Sequence, residues 1–357
     1  MSQCNKVITI PQYNETCWFN SILMVCLYSQ NMRKLLSNKI KYINKKTKLH
    51  EIFIDIINSK FLEFNKGKSS YIYDKFKSTP PEQILQHLHD FNPELYNFTP
   101  FHDNEYNYIS GSYIHKFLNF FSIPFHKILY LDQLQDKTFI ISTQYYNDIF
   151  KLKPNNMSII DFYNSNIFKK NLNNIQQIYK NLYDNYISNN IDIVLINYLY
   201  STTEEYHNYD ELQINNIFYK IPIANITNTI KLKNSQFILD SMIISNFNYD
   251  ECNMGHSIAG ITCNNKRYLY NGWIKSSNDS SKKNPIYNDI PCALLKFDWF
   301  STQNFSFCLN PEECDITKLT PYQENLILHN DLCFNVKKGE NMHIFINKNS
   351  LNPTFIK

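Results

Sequence analysis

Two short segments carry residue types able to cleave an acyl bond. The first is Gln12-Tyr13-Asn14-Glu15-Thr16-Cys17-Trp18-Phe19-Asn20-Ser21. Cys17 stands where a loop runs into a stretch of helical apolar spacing. A thiol there meets the positive end of the helix dipole and a set of unpaired backbone N–H groups, and both favour the nucleophilic thiolate. The Cys17 N–H and a polar side chain just upstream would make an oxyanion hole, and Gln12, five residues earlier, is the candidate second donor. The competing reading is a small buried hydrophobe, the commoner fate of a free cysteine.

The second segment is Gly255-His256-Ser257 through Tyr270-Asn271-Gly272-Trp273. It reads as a hairpin with Asn264-Asn265 at its tip, because asparagine tolerates the positive φ of a tight turn. A two-residue tip pairs Cys263 with Lys266, Ile258 with Asn271 and His256 with Trp273. Cross-strand partners share a face, as do residues two apart, so His256, Asn271 and Trp273 would project to one side. A histidine acting as a base needs a group to fix its tautomer, and the Asn271 amide oxygen can accept its N–H. A three-residue tip would reverse the parity and remove Asn271 from that face. The competing reading is a surface histidine, one of ten in the chain, beside an ordinary asparagine.

An early cysteine at a helix start, followed late by a histidine and an asparagine on adjacent strands, is a Cys–His–Asn arrangement. The residues then become more specific. NETCWFNSIL resembles the cysteine box of ubiquitin-specific proteases, and GHSIAGITCNNKRYLYNGW resembles their histidine box. Cys17, His256 and Asn271 match the three catalytic positions, and Gln12 falls where that family keeps its oxyanion Asn or Gln. Fainter likenesses lie at Pro81–Leu88, Ile191–Tyr200 and Gln236–Asn246, in the family's order. The chain departs in one respect: residues 90–190 hold no cysteine, so the paired CxxC zinc fingers of many members have no counterpart. The resemblance implies a divergent papain-like peptidase or isopeptidase of deubiquitinase type, acting on ubiquitin, a ubiquitin-like protein or a viral precursor. The alternatives are acyl transfer to an amine on the same triad, a decayed protease fold that binds ubiquitin or a virion partner, and a structural or host-interaction protein in which Cys17 is only core.

The elements that must position these residues follow from periodicity. Phe19, Ile22, Leu23, Cys26 and Leu27 recur at helical spacing, so Trp18–Leu36 reads as one helix, apolar nearly all round and hence central. Leu49–Phe64, a helix opened by Pro80-Pro81 through Leu88, Tyr113–Phe121 and Leu172–Ile187 follow. Strands are expected at Ile191–Tyr200, Phe218–Ile223, Phe237–Ile244, Ser257–Cys263, Lys266–Asn271 and, in the tail, Met342–Asn347. Helices first and strands later predict α+β. The catalytic domain is assigned to 1–310, with a mainly helical lobe at 1–190 and a mainly antiparallel β lobe at 191–310; 311–357 is set apart as a C-terminal extension.

Composition bounds the rest. The chain has 357 residues, ample for a sizeable core. Lys plus Arg number 35 and Asp plus Glu 32, so a net charge of +3 argues against coating nucleic acid by bulk charge. Lys-rich Lys39–Lys48 lacks the Arg and interleaved aromatics of a nucleic-acid groove and reads as solvated. Asn supplies about one residue in seven, whereas Arg occurs twice, a bias expected of an AT-rich genome such as a large DNA virus. No run of about 18 apolar residues predicts a membrane span, and the start MSQCNKVITI has no secretory pattern. A cytoplasmic setting, host cytoplasm or virion, is expected, with the nine irregularly spaced cysteines reduced. With no CxxC pair and only six glycines, neither a metal nor a nucleotide cofactor is expected.

Overall fold

The structure, a computed structural model, describes residues 10, 16–40, 47–57, 81–93, 96, 110–131, 137–142, 191–199, 228–232, 235–245, 256–272, 294–300, 306–310, 315–318, 332–336 and 340–352. It is an α+β arrangement of helices against a largely antiparallel sheet.

The expected helix over Trp18–Leu36 is two helices, α1 (Cys17–Leu27) and α2 (Gln30–Lys39). The break lies at Ser29, which is extended. Its hydroxyl donates to the Asp240 backbone carbonyl at 2.9 Å and accepts the Thr262 N–H at 3.1 Å. The Asp240 carboxylate then receives the N–H groups of Asn31 (2.8 Å) and Met32 (3.1 Å). A side chain more than 200 residues away thus caps α2, a role the helix's own sequence leaves open. α3 (Lys48–Ile57), α4 (Pro81–Phe91) and α5 (Ser110–Phe120) lie where periodicity places them, and the expected stretch of the first from 58 to 64 falls outside the described residues. The expected helix at Leu172–Ile187 and strand at Phe218–Ile223 fall outside the described residues.

The large sheet contains β1 (Phe125–Leu131), β2 (Lys137–Ser142), β3 (Ile193–Leu199), β4 (Thr229–Leu232), β5 (Ser235–Ser245), β6 (Ser257–Cys263), β7 (Lys266–Tyr270), β8 (Leu294–Lys296) and β12 (Glu340–Asn347). Their order is β2-β1-β3-β12-β5-β6-β7-β8, with β4 beside the first half of β5. β1 and β3 run parallel, and the other described neighbours run antiparallel. β9 (Ser306–Asn310), β10 (Asp315–Lys318) and β11 (Leu332–Asn335) form a second, three-stranded sheet in the order β10-β9-β11.

Two differences from the sequence expectation matter here. β1 and β2 lie within residues 1–190, which were expected to be mainly helical, and they extend the large sheet at one end. β12 comes from the segment set apart as an extension, yet it sits in mid-sheet between β3 and β5.

Side-chain alternation assigns the two faces. Ile193, Leu195, Ile243, Ala259, Ile261, Tyr270 and Ile344 pack in one core with α1, α2, α3, α4 and α5. Their strand neighbours Val194, Ile196, Met242, Ile244, Ile258, Leu269 and Phe345 pack in a second core with Trp299, Phe307 and Phe334. Across β3, β12, β5, β6 and β7 the sheet is therefore buried on both faces, which is why these strands are rich in apolar residues. α1 packs on β6 and β5 on one side and on α2 and α5 on the other, and Trp18 to Leu27 are all buried.

Candidate active site

Cys17 is the first residue of α1 and is partly exposed, whereas the rest of the helix is buried. The preceding Thr16 makes no side-chain capping bond, and no acidic residue stands in the first turn. Within that first turn no carboxylate offsets the positive end of the dipole, and the first-turn N–H groups gain no partner from the Thr16 side chain. A second thiol, Cys26, lies on the same helix. It is fully buried, and desolvation, with Asp240 adding to it, pushes its pKa well above the ordinary thiol range. One helix thus carries an inert internal thiol and a second at its open end.

The hairpin of β6 and β7 has the predicted two-residue tip. Asn264 and Asn265 take φ of 48° and 57°, the twin positive values of a type I′ turn. The rungs run from Cys263 opposite Lys266 to Ala259 opposite Tyr270. Continuing that register one rung past the end of β7 sets Ile258 opposite Asn271, with His256 of the same parity. The side chains meet: His256 Nε2–H donates to Asn271 Oδ1 at 2.8 Å. Both residues are buried, with exposures of 7% and 8%. An amide oxygen can only accept, so the bond places the proton on Nε2 and the lone pair on Nδ1. Burial lowers the His256 pKa to about 4, against a smaller upward contribution from Asn271. The imidazole is neutral at neutral pH and able to take a proton. The Phe334 ring of β11 lies 6.3 Å from the His256 ring and helps close it off from water.

The helix and the hairpin are joined at the end of β7. Tyr270, directly before Asn271, points to the opposite face, into the core shared with α1. Its phenol lies beside the Asn20 side chain and within electrostatic reach of Cys17. Its hydroxyl donates to the backbone carbonyl of Ile10. Gly272 lacks the side chain that would break this contact, since a Cβ there would stand 3.0 Å from the Ile10 oxygen and overlap the phenol.

Of the residues expected to act, His256 and Asn271 are in direct contact, and Cys17 opens the helix that packs on β6, the strand that starts directly after His256; by strand parity the His256–Asn271 pair lies on the face opposite that of Tyr270 and α1. Gln12 and Trp273 lie outside the described residues. Tyr270 and Phe334 were not anticipated. The parity of Tyr270, opposite to Asn271, already directed it toward α1, whereas no local signal marked Phe334.

Among the described residues no group of three or more His, Cys, Asp or Glu is placed to hold a metal ion, and no helix is long and apolar enough to cross a membrane. The cysteines depart from the all-reduced expectation: Cys308 and Cys333 are joined across β9 and β11, and Cys263 is disulfide-bonded as well. No protein-family model matches the chain, and no curated protein matches it significantly.

Proposed function

We propose that the chain is a cysteine peptidase of papain-like fold, hydrolysing peptide or isopeptide bonds by a Cys17–His256–Asn271 triad, with ubiquitin or a ubiquitin-like protein as the substrate class. The observation that carries this reading is the buried His256–Asn271 bond at the open end of the β6–β7 hairpin, whose strand β6 packs against the helix that begins at Cys17. A desolvated imidazole held in one tautomer by an amide is costly to bury and has no evident structural need.

In this mechanism the resting pair is a thiol and a neutral imidazole, because burial disfavours imidazolium. Nδ1 of His256 takes the thiol proton as Sγ of Cys17 attacks the carbonyl carbon. The Cys17 N–H and the Gln12 amide stabilise the oxyanion. The resulting imidazolium keeps its Nε2–H on Asn271 and passes the Nδ1 proton to the leaving amine as the C–N bond breaks. Water then attacks the thioester with His256 again as base, releasing the acid and restoring the thiol. One oxyanion donor is typically worth ~2.7–4 kcal/mol, so Gln12→Ala slows turnover without abolishing it. Cys17→Ala abolishes it.

The test is to mix the protein with ubiquitin bearing a C-terminal thiol-reactive electrophile and weigh the product, beside Cys17→Ala and His256→Ala. An adduct that needs both residues supports the reading. No adduct, together with a Cys17 that small alkylating agents label slowly and regardless of His256, points instead to a fold that binds without catalysis.

A further inference from the structure

The small sheet places a disulfide one rung from the ring that covers His256. In the β9–β11 ladder Phe307 stands opposite Phe334, and Cys308 opposite Cys333. Successive residues of a strand point to opposite faces. The two phenylalanines therefore share the face turned to the second core, where their rings stack at 5.7 Å and Phe334 reaches the His256 ring at 6.3 Å. The two cysteines belong to the other face and are joined by a disulfide. Cys333 is buried, whereas Cys308 is half-buried and so partly open to a reductant.

β11 is four residues long, and of the described strands it pairs with β9 alone. Four rungs hold it there, and the disulfide adds a covalent tie. A short edge strand opens more readily than a central one, so the place of Phe334 depends on that tie. The same chain keeps Cys17 and Cys26 as thiols, and the proposed chemistry needs Cys17 reduced. A disulfide that coexists with a working thiol nucleophile is open to thiol exchange.

Resting on the function proposed above, we infer that the Cys308–Cys333 disulfide is a redox switch on the site: closed, it holds Phe334 over His256 and restrains the peptidase; opened by a dithiol reductant, it releases β11, uncovers His256 and raises turnover. A reductant thiolate attacks Sγ of Cys308, the S–S bond breaks, and Cys333 leaves as a thiolate that takes a proton from solvent. The reductant's second thiol, once deprotonated, displaces Cys308, which is protonated likewise, and the reductant ends as its own disulfide. Two electrons pass from the dithiol to the protein. Opening favours catalysis because a base works best when its pKa lies near the working pH. Burial holds His256 at about 4, and access of water moves it back toward its ordinary value.

The experiment compares the native disulfide form with Cys308→Ser/Cys333→Ser on a ubiquitin C-terminal fluorogenic amide at pH 7 without reductant. Rates are expressed per Cys17 thiol, counted by iodoacetamide labelling and peptide mass. The double variant should turn over on the order of tenfold faster. Dithiothreitol should raise the native protein to that rate and leave the variant nearly unchanged. Phe334→Ala should speed the disulfide form by a similar factor and add little to the double variant, where the cover is already loose. Equal rates for the native form and the double variant, or a Phe334→Ala effect undiminished in the double variant, overturn the switch. The NMR midpoint of His256 needs no activity and serves even where the double variant does not fold. In native protein reduced with dithiothreitol it should rise above about 4, and an unchanged midpoint refutes the switch. If no form cleaves the substrate, the peptidase assignment fails, and the midpoint still decides whether the disulfide governs the cover. An active peptidase with an unchanged midpoint fails the switch alone.

Discussion

Asn271→Asp tests the electrostatics of the site without any knowledge of the substrate. In the native protein His256 is buried and titrates at about 4, against an ordinary value near 6.5. The sign of its effect on stability follows. Between pH 6.5 and 4 the unfolded chain holds a proton on this ring and the folded chain does not, so the folded state loses stability as pH falls through that window. At pH 5 the loss from this group is about 2 kcal/mol relative to pH 7, taking 1.36 kcal/mol per pH unit. An aspartate at position 271 sets a carboxylate oxygen where the amide oxygen now lies, 2.8 Å from Nε2. An opposite charge this close raises the pKa of a histidine by about 1–3 units. His256 in Asn271→Asp should then titrate between about 5 and 7, and the acid-side loss should shrink with the rise, nearly vanishing toward the upper end of that range.

Two measurements check this. The first follows the His256 Cε1–H signal by NMR from pH 3.5 to 8, assigned with His256→Gln. The second is urea unfolding at pH 7 and pH 5, with His256→Gln as the reference. The reference is needed because other buried groups titrate nearby. Burial raises Asp240 to about 6, so its contribution to stability falls as pH rises from about 4 to 6. Burial and Arg267 lower His343 to about 3, a shift of the same sign as that of His256. A native His256 midpoint near 6.5, or one that does not move in Asn271→Asp, would refute the picture of a desolvated, amide-held base.

Three further outcomes are expected. Asp240→Ala removes the acceptor of two α2 N–H groups and should lower unfolding free energy by about 1–3 kcal/mol in denaturant titration. Gly260→Ala places a Cβ 2.8–2.9 Å from three ring carbons of Trp299, whose other neighbours include the Arg267 guanidinium at 4.9 Å. With the ring held on both sides, this overpacking should cost about 1–3 kcal/mol in the same assay. Phe334→Ala opens the face of His256 to water, so the NMR midpoint of His256 should rise from about 4 toward its ordinary value.

What the sequence disclosed was local. The spacing from Phe19 to Leu27 marked α1 as a helix buried on every side, and the Asn264-Asn265 tip set the register that brings His256 and Asn271 together. Both depend on residues a few positions apart. What it withheld was non-local. The break at Ser29 needs Asp240, which no periodicity within α2 announces. The strands FHKILYL and KTFIIS were missed because codon bias spreads Ile, Phe and Tyr through every element, which dilutes the strand signal. β12 was legible as a strand at Met342–Asn347, but its place in mid-sheet depends on pairing with β3 and β5. The Tyr270–Ile10 hydrogen bond and the Phe334 ring beside His256 likewise join segments that only the fold brings together.

The most direct measurement is the rate at which iodoacetamide alkylates Cys17 at pH 7, read by peptide mass in the native protein and in His256→Ala. Cys26, buried on the same helix, serves as the internal reference. A working pair predicts that Cys17 reacts much faster than Cys26 and that His256→Ala slows it by about 100-fold, the low end of what a positioned base supplies. Equal rates for Cys17 with and without His256 would contradict the triad.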